Sequence, residues 1–263
     1  MDDLLIQAIK DKNVILFVGA GVSANLGLPN WKDLISHMAT ELGYDPDVYN
    51  SLGDNLSLAE YFISEQGAIG ELRSWMDREW HKSTIEIEKS DIHRLIVQLE
   101  FPIIYTTNYD RWLEMAFQHY KHESLVIKNV GDMRYIKNGV TQIVKFHGDF
   151  ADDLSIVLTE SSYFERLNFE SPLDIKLQAD ILGKTILFIG YSFNDINIRY
   201  LLYKLHKTRE KSTHTNAGPN SYIFSNRPNP IQEKVLGQRG IKMLNLNDDN
   251  PATALKTFLE TLL

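Results

Sequence analysis

A buried strand followed at once by a glycine turn is the feature that most constrains this 263-residue chain. Residues 14–18 (Val-Ile-Leu-Phe-Val) are consecutive apolar residues, a pattern typical of a strand buried on both faces of a parallel sheet. The turn that follows, from Gly19 to Ala24, has the spacing G-x-G-x-x-A. Such glycines let the backbone approach a ligand, and the next helix directs its N–H groups and positive dipole end at an anion. The segment therefore predicts a site for a nucleotide pyrophosphate, with a plain strand–helix turn as the alternative.

The composition excludes several classes of protein. A hydrophobic fraction of 43% and a charged fraction of 24% are ordinary for a globular protein, and the net charge of -8 argues against a general nucleic-acid-binding surface. The absence of cysteine excludes disulfides, cysteine nucleophiles and cysteine-based zinc sites. The first residues are acidic and amphipathic rather than a secretory signal, and no apolar run approaches the ~20 residues that span a bilayer. We expect a cytoplasmic protein that binds neither nucleic acid nor membrane.

Strands alternate with helices over most of the chain. This order predicts an α/β fold, a doubly wound Rossmann-like parallel sheet that binds a nucleotide and is built from residues 1–42 and 90–263. Residues 43–89 have helical periodicity without a convincing strand, and we predict that they form a helical insertion module. Beyond the first strand, the predicted strands are residues 102–106, 125–127, 142–146, 155–158, 185–190, 221–224 and 241–244.

Polar residues follow four of the predicted strands. The segments are 19–23 (Gly-Ala-Gly-Val-Ser), 106–110 (Thr-Thr-Asn-Tyr-Asp), 145–149 (Lys-Phe-His-Gly-Asp) and 190–195 (Gly-Tyr-Ser-Phe-Asn-Asp). Ligands of open α/β sheets bind outside the carboxyl ends of the strands, where polar residues from several strands converge. We therefore expect one site at this edge of the sheet.

Taken together and in this order, these segments resemble the sirtuin family. The resemblance spans about residues 13–245. Residues 19–23 and 27–31 resemble the sirtuin GAGxS and GIPDF motifs, residues 107–110 its QNID, His147-Gly148 its catalytic HG, Gly190-Tyr191-Ser192 its GTS, and Asn226 a family asparagine near the adenosine ribose.

Two departures from the sirtuin pattern indicate which group of sirtuin-like proteins the chain resembles. Sirtuin deacylases usually carry a four-cysteine zinc module between HG and GTS, and the corresponding interval here, residues 149–189, contains no cysteine. Asn30 and Lys32 stand where the family has the aspartate and the arginine of its PDFR sequence. The zinc-free pattern is similar to a divergent bacterial group of sirtuin-like proteins that degrade NAD as effectors of antiphage defence, some of them paired with a motor ATPase.

The resemblance implies an NAD+ hydrolase that cleaves the nicotinamide–ribose bond and acts in bacterial antiphage defence by depleting NAD. NAD+ would be the substrate, no zinc is implied, and His119 and His122 lack the further ligands of a metal site. A constitutive enzyme of this kind would poison its own cell, so we expect gating, by a homo-oligomer or by a partner such as an ATPase or another defence protein. The alternatives are an NAD-dependent protein deacylase and a non-catalytic nucleotide-binding sensor or assembly subunit.

Asn108 and His147 are the predicted catalytic residues. The resemblance implies that the Asn108 amide holds the attacking water or a ribose hydroxyl, with a helix cap as the alternative. His147 would be the general base, because an ordinary histidine pKa of about 6.5 suits proton removal at neutral pH. The alternative for His147 is a satisfied histidine at a strand end.

The predicted substrate-binding residues surround this pair. Asp110 would face the nicotinamide carboxamide, or would stand as an acid favoured early in a helix. Ser23 and Ser192 would contact the ligand or cap helices. The proposed pyrophosphate anchor consists of Gly19, Ala20, Gly21 and Ser23, and the further predicted contacts are Gly190, Ser192 and Asn226.

Overall fold

A seven-stranded parallel sheet forms the centre of the protein, in the order β3-β4-β2-β1-β5-β6-β7. A computed structural model describes residues 2–168, 170–191, 196–210 and 221–263. The predicted Rossmann-like α/β fold is confirmed. The strands are β1 (Val14–Val18), β2 (Ile103–Thr106), β3 (Ser124–Ile127), β4 (Thr141–Lys145), β5 (Thr185–Ile189), β6 (Ser221–Ser225) and β7 (Ile241–Asn245).

Helices cover both faces of the sheet and form a separate layer beyond its carboxyl edge. Short 3-10 helices lie at Ile87–Lys89, Val130–Tyr135 and Asp153–Ser155. The α-helices in the described residues are α1 (Asp3–Lys10), α2 (Ala20–Ala24), α3 (Trp31–Glu41), α4 (Pro46–Ser51), α5 (Asn55–Gln66), α6 (Gly70–Trp80), α7 (Asp91–Gln98), α8 (Trp112–His119), α9 (Glu160–Leu167), α10 (Pro172–Asp180), α11 (Ile196–Glu210), α12 (Pro230–Gly237) and α13 (Pro251–Glu260). No helix within these ranges is both long and apolar enough to cross a membrane.

The order of the strands reverses beside β1. The chain runs outward from β1 through β2 on one side and returns to pair β5 on the other side. All five residues of β1 are buried, as a strand covered by helices on both faces requires. Helices α1, α7, α8 and α13 pack on one face, and α10, α11 and α12 pack on the other. The crevice between β1 and β5 is therefore the place where such a sheet binds its ligand.

A third hydrophobic cluster holds the helical layer. It joins buried residues of α3, α4, α5 and α6 to Tyr109, Phe150, Ile156 and Leu158. The predicted insertion, residues 43–89, thus shares its core with α3 and with loops at the carboxyl edge of the sheet. The division of the chain at residues 42/43 and 89/90 stays a prediction.

The strand predicted at residues 155–158 is wrong. A 3-10 helix covers Asp153–Ser155, and the apolar residues that follow it are buried without joining the sheet. The Val157 N–H instead donates to the His147 carbonyl oxygen at 2.9 Å, and Ile156 and Leu158 pack in the helical cluster. A short apolar run indicates burial, and burial against helices gives the same pattern as burial in a sheet.

Candidate active site

The glycine turn after β1 packs directly on the end of β5. The Gly19 N–H donates to the Ile189 carbonyl oxygen and the Gly21 N–H donates to the Gly190 carbonyl oxygen, both at 2.9 Å. A Cβ atom on Gly19 would lie 2.6 Å from the Gly190 oxygen, closer than any real side chain approaches. These glycines are thus required by contact between two strand ends, a reason that adds to the ligand approach expected from the sequence. Ala20 and Gly21 are exposed, so solvent reaches the turn.

Gly190 and Tyr191 complete this contact from the side of β5. Gly190 has a φ of +70°, and a Cβ atom there would lie 2.8 Å from the Val22 nitrogen. The Tyr191 hydroxyl donates to the Val18 carbonyl oxygen at 3.1 Å and lies 3.1 Å from the Thr107 hydroxyl. Tyr191 therefore links the carboxyl ends of β1, β2 and β5. Ser192, the predicted contact that follows, lies outside the described residues.

Asn108 ties the loop after β2 to the glycine turn. Its Nδ2 donates to the Gly19 carbonyl oxygen at 3.2 Å and to Ser23 Oγ at 3.0 Å. Because a carbonyl oxygen only accepts, this contact fixes which end of the Asn108 amide is the NH2 group. Both hydrogen bonds that this side chain makes within the described residues use Nδ2, so Oδ1 keeps its capacity to accept. Asn108 and Ser23 are thus brought together, and both are buried.

Asp110 lies at the start of α8. Its Oδ1 accepts from the Trp112 N–H at 3.1 Å, and the residue is only 5% exposed. This is the helix-start position given as the alternative for Asp110. The contact of Asp110 with nicotinamide stays a prediction.

His147 and Asn108 each follow the end of one of two paired strands. Lys145, the last residue of β4, pairs with Thr106, the last residue of β2. Asn108 and His147 each follow these paired residues by two positions, and neighbouring strands are about 4.8 Å apart. The two predicted catalytic residues therefore leave adjacent strands at the same edge.

The His147 ring is buried and neutral. It is 2% exposed and packs edge-on against Tyr163, with ring centroids 5.2 Å apart. Its Nε2 has no hydrogen-bond partner within the described part of the chain. Burial, and in second place the Arg166 charge, lower the pKa of His147 to about 3. The expectation of a base with an ordinary pKa is thus corrected: His147 is unprotonated at neutral pH, and it is a weaker base than the sequence suggested.

Gly148 lets a second segment pack on the histidine loop. It has a φ of +93°, and a Cβ atom there would overlap the Ser155 carbonyl oxygen. With glycine present, residues 155–157 lie against this loop, and Val157 bonds to the His147 backbone. The HG pair is therefore a packing requirement as well as a sequence motif.

Asn226 lies at the same sheet edge but apart from this group. Its Nδ2 donates to the Asp248 carbonyl oxygen at 3.1 Å, and its own carbonyl oxygen accepts from the Asp248 N–H at 2.9 Å. It follows β6, two strands from β1. The structure thus joins Gly19, Ser23 and Asn108 by hydrogen bonds, and it bonds Asn226 to Asp248 on the loop after β7.

Sequence reasoning gave no role to Lys145 or Arg166. Lys145 is 1% exposed, and its position at the end of an apolar strand was the one available signal. Arg166 lies over the Phe146 ring at 4.1 Å and donates to Ser171 Oγ at 2.8 Å. These contacts join the end of β4 to α9 and α10. They are not predictable from a short sequence motif.

A cavity of about 420 Å³ opens where α2 ends. Its lining comes from the segments 25–29 and 79–90, and includes the ion pair of Lys82 with Glu79 at 2.5 Å. The cavity therefore lies between the segment that follows α2 and the segment that includes the end of α6 and the residues after it.

Comparison with known proteins decides the family. A model of the SIR2-like domain matches residues 102–244, more than half of the chain. The chain belongs to the SIR2-like family. This confirms the resemblance to sirtuins.

Curated relatives of this SIR2-like chain come from bacteria. It is 31% identical to the NAD(+) hydrolase ThsA of Cytobacillus dafuensis over 229 residues, 86% of this chain and 44% of that protein. It is 34% identical to the NAD(+) hydrolase ThsA of Enterococcus faecium over 200 residues, 74% of this chain and 40% of the relative. It is 27% identical to the defense-associated sirtuin 2 of Bacillus subtilis, covering 98% of this chain and 26% of the relative. The SIR2-like chain thus spans less than half the length of these relatives.

A solved structure supports the fold. The crystal structure of a Sir2 homolog–NAD complex superposes with a TM-score of 0.54 at 13% identity, covering 100% of this chain and 94% of the other.

Proposed function

We propose that this SIR2-like chain hydrolyses NAD+ at the nicotinamide–ribose bond, and that it serves antiphage defence by depleting NAD+. The observation that carries the proposal is the placement of Asn108 and His147 at adjacent strand ends, with Asn108 bonded to the glycine turn. The relatives named NAD(+) hydrolase support the substrate.

The site supports binding of the dinucleotide across the crevice between β1 and β5. We propose Gly19, Ala20, Gly21 and Ser23 as the pyrophosphate anchor, since Ala20 and Gly21 are open to solvent. An anion there would meet the positive end of α2. Asp110, Gly190, Ser192 and Asn226 remain proposed contacts to the rest of the molecule.

The chemistry requires water to replace nicotinamide at the ribose C1′ atom. The C1′–N bond breaks with its electron pair going to the pyridinium ring, so nicotinamide leaves neutral and needs no general acid. The ribose becomes oxocarbenium-like, as in glycoside hydrolysis. Asn108 Oδ1 would accept a hydrogen bond from the attacking water or from a ribose hydroxyl. The proton that the water loses would pass to His147 Nε2, and a weak base suffices because water bonded to such a cation is strongly acidic.

The experiment is nicotinamide release from NAD+ with the purified chain, followed by chromatography. Asn108→Ala and His147→Ala should each lower kcat by about 100-fold or more, the usual contribution of a positioned proton acceptor or donor. His119→Ala, at an exposed histidine, is the control and should keep full activity. Full activity in both site variants would overturn the mechanism.

The same assay separates the two other functions. Turnover that depends on an acyl-lysine peptide would indicate a deacylase. NAD+ binding without turnover, with or without neighbouring defence proteins, would indicate a sensor.

Gating and location complete the proposal. We propose that self-association or a partner, such as an ATPase or another defence protein, switches the activity in the cytoplasm. Specific activity should then rise with protein concentration or on adding the partner. Equal activity at all concentrations and with every partner would contradict gating.

A further inference from the structure

Lys145 is a buried cation that reaches from one proposed catalytic strand to the loop of the other. It is the last residue of β4, two positions before His147, and it is 1% exposed. Its Nζ donates to the carbonyl oxygen of Tyr109 at 3.4 Å and to that of Asp110. These two residues directly follow Asn108. The Lys145 side chain therefore connects the backbone that carries His147 to the backbone that carries Asn108.

The charge of Lys145 is compensated by an acid on α8. The Nζ lies 3.2 Å from Glu114 Oε1, and the Glu114 side chain is 15% exposed. A buried ammonium is costly unless it is paired and hydrogen-bonded, and here it has both kinds of partner. An apolar residue would fill a strand end of this kind without that cost. The contacts thus point to a role for the charge beyond filling space.

A second ion pair, with a buried carboxylate and a partly exposed lysine, lies on the other side of the histidine loop. Asp149, two positions after His147, accepts from the Ala151 N–H at 2.8 Å. Its Oδ1 also lies 3.1 Å from Lys128 Nζ, and its side chain is 2% exposed. His147 is therefore held between two charged residues, and Lys145 is the one that also reaches the Asn108 loop.

We propose that Lys145 is a positioning residue for the hydrolysis proposed above, which sets the separation of Asn108 from His147. It holds the Tyr109 and Asp110 carbonyls against β4 and does not touch the substrate. Removing its charge leaves those carbonyls and the Glu114 carboxylate unpaired in the interior. The loop then moves, and a displacement of about 1 Å in a catalytic group costs about 100-fold in rate.

The test compares Lys145→Met with Lys176→Met. Lys176 serves as the control because it is also a buried lysine in an ion pair. Its side chain is 9% exposed, and its Nζ lies 2.7 Å from Asp180 Oδ2 on the same helix, α10. Lys145→Met should lower kcat by about 100-fold and leave KM within about threefold, since the described contacts of Lys145 go to Tyr109, Asp110 and Glu114 and not to the glycine turn. Lys176→Met should keep the wild-type kcat. Wild-type kcat in folded Lys145→Met, or an equal loss in both variants, would overturn the proposal.

A milder pair of variants covers the case in which Lys145→Met does not fold. Lys145→Arg keeps the charge but not the shape, and Glu114→Gln removes the counter-charge while leaving the Lys145 bonds to the carbonyls possible. Each should lower kcat by about 10-fold, with KM again nearly unchanged. Both variants folded and as active as the wild type would overturn the proposal.

A spectroscopic readout keeps this inference separate from the proposed function. NMR of protein with isotope-labelled histidine shows the His147 ring resonance, which is assigned by its absence in His147→Gln. This resonance should shift in Lys145→Met and should not shift in Lys176→Met. Absence of NAD+ turnover in the wild type at every protein concentration, with and without neighbouring defence proteins, would refute the hydrolase and leave this comparison intact. An unmoved His147 resonance in Lys145→Met would refute the positioning role even if the wild type is active.

Discussion

Burial determines the protonation state of His147. Its pKa is lowered to about 3, chiefly because the ring is removed from water, and Arg166 adds to the effect. The dependence of kcat/KM on pH reports the ionisations of the free enzyme. An ordinary histidine base would make kcat/KM fall with a midpoint of about 6.5 as the pH decreases from about 8 to 5. We predict that protonation of His147 causes no such fall in this range. The measurement is a pH–rate profile for nicotinamide release, with the His147 ring titrated by NMR beside it; a His147 midpoint of about 6.5 in that titration would contradict the prediction.

The places of Asn108 and His147 at strand ends are predictable from sequence, and the electrostatics of His147 are not. Asn108 and His147 stand out because each follows an apolar strand within a short motif. The shift in the His147 pKa comes first from burial of the ring and second from the Arg166 charge, and α9 brings both Arg166 and the Tyr163 ring to this histidine. The sequence spacing between β4 and α9 does not predict this contact, because the contact depends on how α9 packs against the loop after β4.

The contact between the glycine turn and β5 gives a prediction at the level of elements. Gly190→Ala should destabilise the protein and raise the KM for NAD+, because the new Cβ atom would meet the Val22 nitrogen at 2.8 Å and push α2 away from β5. Gly183→Ala is the matched control: its φ of +78° resembles the +70° of Gly190, but no atom lies within 4 Å of a Cβ there. Both variants place alanine in the left-handed region, at about 1–2 kcal/mol.

The difference between the two glycine variants isolates the contact from the backbone strain. We expect Gly190→Ala to lose about 1–3 kcal/mol more free energy of unfolding than Gly183→Ala, which is the usual range for overpacking. Urea denaturation measures this difference, and NAD+ kinetics measure KM. Equal losses of unfolding free energy in the two variants, with an unchanged KM for NAD+, would contradict the prediction. That result would mean that the contact between the glycine turn and β5 affects neither stability nor binding.

The sequence predicts the strands of the sheet well, but it does not separate a strand from another buried apolar segment. Strand β5 (Thr185–Ile189) is a run of apolar residues between two buried neighbours, and the sequence identifies it. Residues 156–158 are equally apolar, but they pack on the helical cluster. Both segments bury their side chains, so composition alone does not distinguish a strand from a buried connection.

At the scale of the whole molecule, the candidate site lies where three hydrophobic clusters meet. Val18 and Val22 belong to the cluster on one face of the sheet, and Phe146 belongs to the cluster on the other face. Tyr109 and Phe150, which flank Asn108 and His147 along the chain, belong to the cluster of the helical layer. The helical layer is thus built into the loops of the site, and a change in its packing reaches both proposed catalytic residues.

Two buried histidines make the stability of the whole protein depend on pH. Burial lowers the pKa of His93 to about 4, against the opposing charge of Asp110, and lowers the pKa of His147 to about 3. In the unfolded chain both groups have a pKa of about 6.5, so the unfolded state binds more protons as the pH falls below that value. Their contribution to stability is therefore complete above pH ~6.5 and is lost as the pH falls towards the folded pKa values.

Between pH 7 and pH 5 this loss should be about 1–2 kcal/mol for each histidine. Urea denaturation at the two pH values measures the loss, and His93→Gln should reduce it by about half because one titrating group is removed. His119→Gln, at an exposed histidine, should leave the loss unchanged. Comparing each variant with itself at two pH values cancels the direct effect of the substitution on packing. An equal pH dependence in the wild type and His93→Gln would mean that burial does not lower the pKa of His93 in the folded protein, and it would contradict the prediction for this histidine.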